Sequence, residues 1–187
     1  MKIFKKILFI LGIIILIVAA IGFLFFPSHI HVDRRITVNQ PQAIVYNYMQ
    51  SFENWNKWSP WYELDPNAKY SFEGPKTGAG SVFMWESTVE NVGKGKMTIT
   101  EAKPDSVIRI DLNFMENGEA KSSFTFHPEG GGTQIIWNFD VEAGVNPLMR
   151  IFGSFMDGMI GKEYEKGLSN LKTKLEAIQL PAEIIAQ

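Results

Sequence analysis

Four kinds of hydrophobic pattern follow one another along the chain. Ile7 to Phe26 is an unbroken uncharged apolar run, about the 20 residues a helix needs to cross a bilayer. Ile30 to Val38 alternates and is rich in β-branched residues, which predicts a first strand. Asn39-Gln40-Pro41 stops it and opens a short helix with Ile44, Val45 and Tyr48 on one face, and a second short helical or turn segment follows at Phe52 to Lys57. Six further strands are predicted at Lys69–Glu73, Ser81–Thr88, Val89–Lys103, Ser106–Phe114, Ala120–His127 and Thr133–Val141. Turn chemistry separates them, as at Gly74-Pro75, Gly78-Ala79-Gly80, Lys103-Pro104-Asp105, Glu116-Asn117-Gly118 and Pro128-Glu129-Gly130-Gly131-Gly132. Such short connections predict antiparallel hairpins.

The last stretch changes period. Asn146-Pro147 is a helix start, an N-cap side chain followed by a proline whose missing N–H costs nothing at N1. Leu148, Ile151, Phe152, Phe155, Met156, Met159, Ile160, Tyr164, Leu168, Leu171 and Leu175 then recur at helical spacing. One long amphipathic helix needs a large apolar surface to lie against. The strands supply it: Ile108, Ile110, Leu112 and Phe114 share a face, as do Phe124 with Phe126, and Ile135, Trp137, Phe139 and Val141. The expected architecture is α+β: about seven antiparallel strands in a curved sheet wrapped around the C-terminal helix, with two short helices after strand 1 and one N-terminal transmembrane helix.

Composition narrows the function classes. With no cysteine there is no disulfide, thiolate nucleophile or Cys-based zinc site. Of 18 basic and 20 acidic residues, three lysines and no acid fall before Pro27, so the remainder is distinctly acidic. That excludes nucleic acid as the expected partner. Lys2, Lys5 and Lys6 flank the apolar run and place the N-terminus in the cytoplasm by the positive-inside rule, although Arg34 and Arg35 lie within reach on the far side. A cleavable signal peptide competes, since Val18-Ala19-Ala20 offers small residues. The apolar run continues through Phe26, which favours a retained anchor. The expectation is a single-pass protein of the cell membrane: residues 1–6 cytoplasmic, 7–26 spanning, 27–180 an extracytoplasmic domain, and 181–187 a tail.

Several local motifs carry a family resemblance. They are Phe52-Glu53-Asn54-Trp55-Asn56-Lys57-Trp58-Ser59-Pro60-Trp61, the Gly74-Pro75…Gly78-Ala79-Gly80 turn, Trp85, Gly93-Lys94-Gly95-Lys96-Met97, and Ile160-Gly161-Lys162…Lys166-Gly167-Leu168…Leu171-Lys172. Together with the strand–helix–helix–six strands–helix order, they resemble the helix-grip (SRPBCC, START-like) superfamily, specifically its bacterial polyketide cyclase/dehydrase-like branch, over about Ile30 to Glu176. The resemblance implies a hydrophobic ligand held between sheet and helix, with catalysis in only some members.

Read from the residues, the cavity candidates are Trp58, Trp61, Phe83, Trp85, Phe114, Phe124, Trp137, Phe139, Phe152, Phe155, Met156 and Met159. Their plain reading is a packed core; a concave sheet that does not close completely would make them the walls of a pocket. Methionines give that wall adaptable side chains. Gly153, Gly158, Gly161 and Gly167 each cost about 1 kcal/mol in a helix interior, which suggests close approach to the sheet or room for a ligand. No catalytic constellation, cofactor motif or metal site is expected. His29 and His31 share one strand face but lack further ligands in the sequence, and Gly93-x-Gly95 reads as a bend. Three readings remain: a membrane-anchored binder of a lipid or other hydrophobic small molecule; a cyclase, dehydratase or hydrolase acting on an aromatic or polyketide-like substrate; and an interaction module like the Hsp90-activator relatives of the fold. Oligomeric state is not readable.

Overall fold

The computed structural model describes residues 2–179; the expected tail at 181–187 lies outside them. Helix α1 (Lys2–Phe25) is followed by β1 (His29–Val38), α2 (Gln42–Met49), a 3-10 turn (Phe52–Lys57) and the single-turn α3 (Pro60–Leu64). Strands β2 (Lys69–Glu73), β3 (Val82–Glu86), β4 (Lys94–Lys103), β5 (Val107–Asn113), β6 (Glu119–Glu129) and β7 (Gly132–Glu142) lead to α4 (Pro147–Glu176). All seven strands form one antiparallel sheet in the order β1-β7-β6-β5-β4-β3-β2. The first strand thus closes onto the last, and α4 lies across the concave face, giving the helix-grip architecture that the residue pattern predicts.

Alternation decides the two faces. Ile30 and Val32 of β1, Ile108, Ile110 and Leu112 of β5, Phe124 and Phe126 of β6, and Ile135, Trp137, Phe139 and Val141 of β7 are buried beneath α2 and α4. Helix α4 starts where the sequence places it: the Asn146 side chain accepts from the N–H groups of Leu148 and Met149, both at 3.1 Å, satisfying two of the free donors of the first turn. At the other end, the buried Gln40 amide donates to the carbonyls of Leu175 (2.9 Å) and Ile178 (3.0 Å). Arg34 is the single charge on β1's inner face. It is clamped by Asp157 (2.8 Å) and Glu165 (2.7 Å) of α4, and those hydrogen bonds push its guanidinium further up and hold the Asp157 carboxyl below its ordinary range.

A strand limit and a helix face differ from expectation. β4 begins at Lys94 rather than Val89, because Ser87–Gly93 forms a loop. The Ser87 hydroxyl accepts from Val89 N–H (2.9 Å), the N–H groups of Val92 and Gly93 donate to the Val89 carbonyl, and Gly93 takes φ +58°. Those local bonds compete successfully with strand pairing. α2 buries Val45, Tyr46 and Met49 rather than the stripe through Ile44, since it packs against β6, with Tyr46 edge-on to Phe126.

Of the four α4 glycines, three allow close approach. A Cβ on Gly153 would strike Ile30, one on Gly161 the Arg34 guanidinium, and one on Gly167 would lie 3.1 Å from both Pro60 and Trp137. Gly158 has open space around it, so the reading that all four face sheet or ligand is corrected there. Gly158 follows Gly153 by five residues, which turns it about 140° away around the helix.

Candidate functional site

The concave face is not filled. Between the sheet and the N-terminal half of α4 lies a cavity of about 360 Å³, within the usual range for small-molecule pockets. Trp85, Phe83 and Tyr70 from β2–β3 form one wall, Ile110, Leu112 and Phe139 the floor, and Met156, Ile160 and Tyr164 the α4 side, with Trp55 and Trp61 at one end. The exposed Glu90, Asn91, Lys94 and Asn117 lie at the rim.

The aromatic cage is held by its own geometry. Trp55 and Trp61 stack at 6.5 Å, Trp137 and Tyr164 stack at 3.6 Å, and Trp55 meets Trp137 edge-on at 5.7 Å. The motif Trp55-Asn56-Lys57-Trp58-Ser59-Pro60-Trp61 achieves this by turning twice: the 3-10 turn ends at Lys57, and Pro60 starts α3. Trp85 is positioned by Gly95, its register partner on β4. A Cβ there would collide with the indole and lie 2.8 Å from the Asn113 carbonyl. The Trp85 indole N–H donates to the Val92 carbonyl (3.0 Å), tying the Ser87–Gly93 loop to the wall.

Seven of the twelve predicted residues line this cavity: Trp61, Phe83, Trp85, Phe114, Trp137, Phe139 and Met156. Trp58 and Phe124 are instead packed solidly behind it, edge-on at 6.1 Å, with exposures of 3% and 2%. Phe152, Phe155 and Met159 point away from the cavity and are 47%, 63% and 58% exposed. Their placement corrects the expectation that they form its walls. The apolar stripe of α4's first half is wider than the groove beneath it, and Met156 and Ile160 take the inward positions.

Polar groups inside the cavity were less legible. Ser59 is buried, and its hydroxyl has no hydrogen-bond partner; an orphaned hydroxyl in an apolar pocket is a ready contact for a ligand polar group. Nothing in the sequence distinguishes it from any other serine. Ser122 donates to the Asn138 carbonyl (2.8 Å) and accepts from the Trp137 indole N–H (3.0 Å). Tyr164 belongs to the α4 stripe, but its depth comes only from packing. Burial raises its phenol pKa well above the ordinary value, Ser122 acting in the opposite direction. Burial also raises Tyr70, whose hydroxyl donates to the Asp65 carbonyl (2.9 Å). Tyr164 is therefore protonated across the physiological range and can donate a hydrogen bond to a bound carbonyl or hydroxyl, but is a poor base. No histidine or aspartate lines the cavity among the described residues, and its glutamate and lysine stand at the solvent rim.

Comparison with known proteins agrees with this fold. Residues 29–176 match the family described as Polyketide cyclase / dehydrase and lipid transport. No curated protein is detectably similar to the chain. Among solved structures, protein CV1439 from Chromobacterium violaceum superposes with a TM-score of 0.56 at 15% identity, covering 81% of this chain and all of that one. The Aha1 dimer from Colwellia psychrerythraea gives 0.54 at 15% identity over 79% of this chain and 97% of that one. The di-domain ARO/CYC StfQ from the steffimycin biosynthetic pathway gives 0.58 at 12% identity, covering 78% of this chain and 50% of the longer protein. At such identities these structures share the fold alone; the family match spans almost the whole sheet and α4, and the chain belongs to the polyketide cyclase / dehydrase and lipid transport family.

Proposed function

We propose that this protein is a membrane-tethered binder of a lipid or other hydrophobic small molecule, held between the sheet and α4. The observation that carries the reading is the cavity itself: about 360 Å³, walled by aromatic and aliphatic side chains, with hydroxyls rather than charges inside. Such a lining favours burial of an apolar ligand at about 25 cal/mol per Å² and leaves Ser59 and Tyr164 to orient one polar group.

α1 supplies the tether. Ile3–Phe25 is long and apolar enough to cross a membrane, with almost none of it buried against the domain. In this reading residues 1–6 are cytoplasmic, 7–26 span, and 27–180 form the extracytoplasmic domain. The asymmetry of Lys2, Lys5 and Lys6 supports that orientation, and the far-side Arg34 and Arg35 are already paired with carboxylates. The last turn of α1 rests on the first turn of α4: Gly22 lies directly against Pro147, and the Arg150 guanidinium stands 4.7 Å over the Phe23 ring. From that junction Leu148, Phe152, Phe155 and Met159 form an exposed apolar stripe. Contact with the bilayer surface would cover it and bring the cavity mouth to where apolar ligands reside.

The test is native mass spectrometry of the detergent-extracted full chain, followed by displacement of a fluorescent fatty acid. A bound apolar mass and saturable uptake are expected, with uptake cut at least tenfold by Ile160→Trp, which fills the cavity. No uptake by the folded wild type, or uptake unchanged in Ile160→Trp, would overturn the proposal.

A further inference from the structure

On the convex face, opposite the cavity, β1 and β7 bring five ionisable side chains together. His29 and His31 alternate outward from the edge strand, and their register partners on β7 are Glu142 and Asp140. Asp140 Oδ1 lies 3.1 Å from His29 Nε2 and 2.7 Å from His31 Nδ1. The three donor groups can place their ligand atoms within 4.8 Å of one another. A tetrahedral cation with bonds of about 2.0–2.1 Å has ligand-to-ligand edges of about 3.3 Å, so the two Asp140 contacts need to open slightly and the His29–His31 edge, within 4.8 Å, to settle at that length.

The outer partners fit the same chemistry. His29 Nδ1 is 2.8 Å from Glu142 Oε1, and His31 Nε2 is 3.7 Å from Asp33 Oδ1. Asp33 is in turn held by Arg35 at 3.2 Å. Each imidazole thus presents one nitrogen to Asp140 and the other to a second carboxylate, the arrangement that orients metal-bound histidines. Proton counting leaves room for a cation. A neutral imidazole has a single N–H, yet His29 meets a carboxylate oxygen at both nitrogens. With a single N–H, donated by His29 Nδ1 to Glu142, two lone pairs face each other between His29 Nε2 and Asp140; a cation fills that gap, as a second proton on the imidazole would.

We propose that His29, His31 and Asp140 form a binding site for a borderline divalent transition cation such as Zn²⁺, with Glu142 and Asp33 as orienting partners and a fourth position open to water. Two imidazoles and one carboxylate are a donor set suited to such ions rather than to Ca²⁺ or Mg²⁺. The site joins the first residues after the anchor to the last strand. A bound ion therefore staples the sheet edge beside the membrane without touching the cavity.

The experiment is titration of the untagged full chain in detergent micelles with Zn²⁺ alone, by calorimetry and thermal unfolding. One ion per chain and a raised Tm are expected. His31→Ala or Asp140→Asn should weaken affinity at least 100-fold, and Glu142→Gln about 10-fold. All three should keep the circular dichroism spectrum and the fatty-acid uptake of the wild type. Co²⁺ offers a second readout, the intense visible absorption of a four-coordinate site, lost in His31→Ala. Zn²⁺ affinity unchanged in His31→Ala, or no saturable binding by the wild type, would overturn the proposal and leave the cluster as a proton-bridged ion-pair network.

Discussion

The two halves of α4 come from one continuous amphipathic pattern yet do different work. In the C-terminal half, Leu168, Leu171 and Leu175 are at most 1% exposed, and Gly167 lets the backbone close onto Trp137 and Pro60. In the N-terminal half, Met156 and Ile160 line a cavity while Leu148, Phe152, Phe155 and Met159 face outward. The first half of the helix is thus a wall with an apolar back, and the second half is a core plug. An apolar stripe records that a helix has something to cover; it does not record whether the partner is side chains, a ligand or a surface.

Substitutions along α4 should separate the halves sharply. Leu171→Ala removes a fully buried side chain with little room for relaxation and should cost about 2–5 kcal/mol in denaturant unfolding, whereas Phe155→Ala should stay within about 0.5 kcal/mol. Equal losses at the two positions would erase the distinction. Next in size, Gly95→Ala should displace the Trp85 indole and lower fatty-acid affinity more than tenfold, with a smaller loss of stability; retained affinity would show that Trp85 does not shape the pocket.

Smaller effects probe the two faces of the wall. Phe155→Glu combined with Met159→Glu should slow ligand delivery from vesicles several-fold while leaving affinity in detergent unchanged, since only the outward stripe is altered. Tyr164→Phe keeps the stacking on Trp137 but removes the donor, so ligand affinity should fall about 3- to 10-fold, the worth of one hydrogen bond. Ser59→Ala, which removes an unpaired buried hydroxyl, should leave stability unchanged or slightly raised while weakening binding of ligands that carry a polar group.

Alkaline pH tests the buried phenols. Burial raises the pKa of Tyr164, and also those of Tyr46 and Tyr48. The folded state therefore holds these protons where the unfolded chain, titrating near pH 10, releases them. Stability should be fully present below about pH 10 and should fall as pH rises toward the folded-state values. Tyrosinate absorbance that develops with the unfolding transition, rather than before it, would agree. Full ionisation in the folded protein would show the phenols to be accessible.

Periodicity and turn chemistry were enough for the element order, the sheet faces and the start of α4. These are local quantities: the alternation of Ile108 to Phe114, the Asn146-Pro147 cap and the glycine turns act within a few residues. The two-residue alternation of the strands also named Phe83, Trp85, Phe114, Trp137 and Phe139 among the cavity's aromatics, because each had to face inward. Which inward residues meet a ligand and which meet each other could not be read that way. Trp58 and Trp61 sit three residues apart in one motif, yet one is sealed in the core and the other lines the pocket.

Long-range packing decided the rest. The orphaned hydroxyl of Ser59, the depth of Tyr164, the outward turn of Phe152, Phe155 and Met159, and the meeting of His29 and His31 with Asp140 each depend on elements distant in the chain. For His29 and His31 the separations from Asp140 are 111 and 109 residues. The physical reason is the same in each case. A side chain's periodicity is set by its neighbours in sequence, whereas its solvation and its hydrogen-bond partners are set by whatever the closed sheet brings against it.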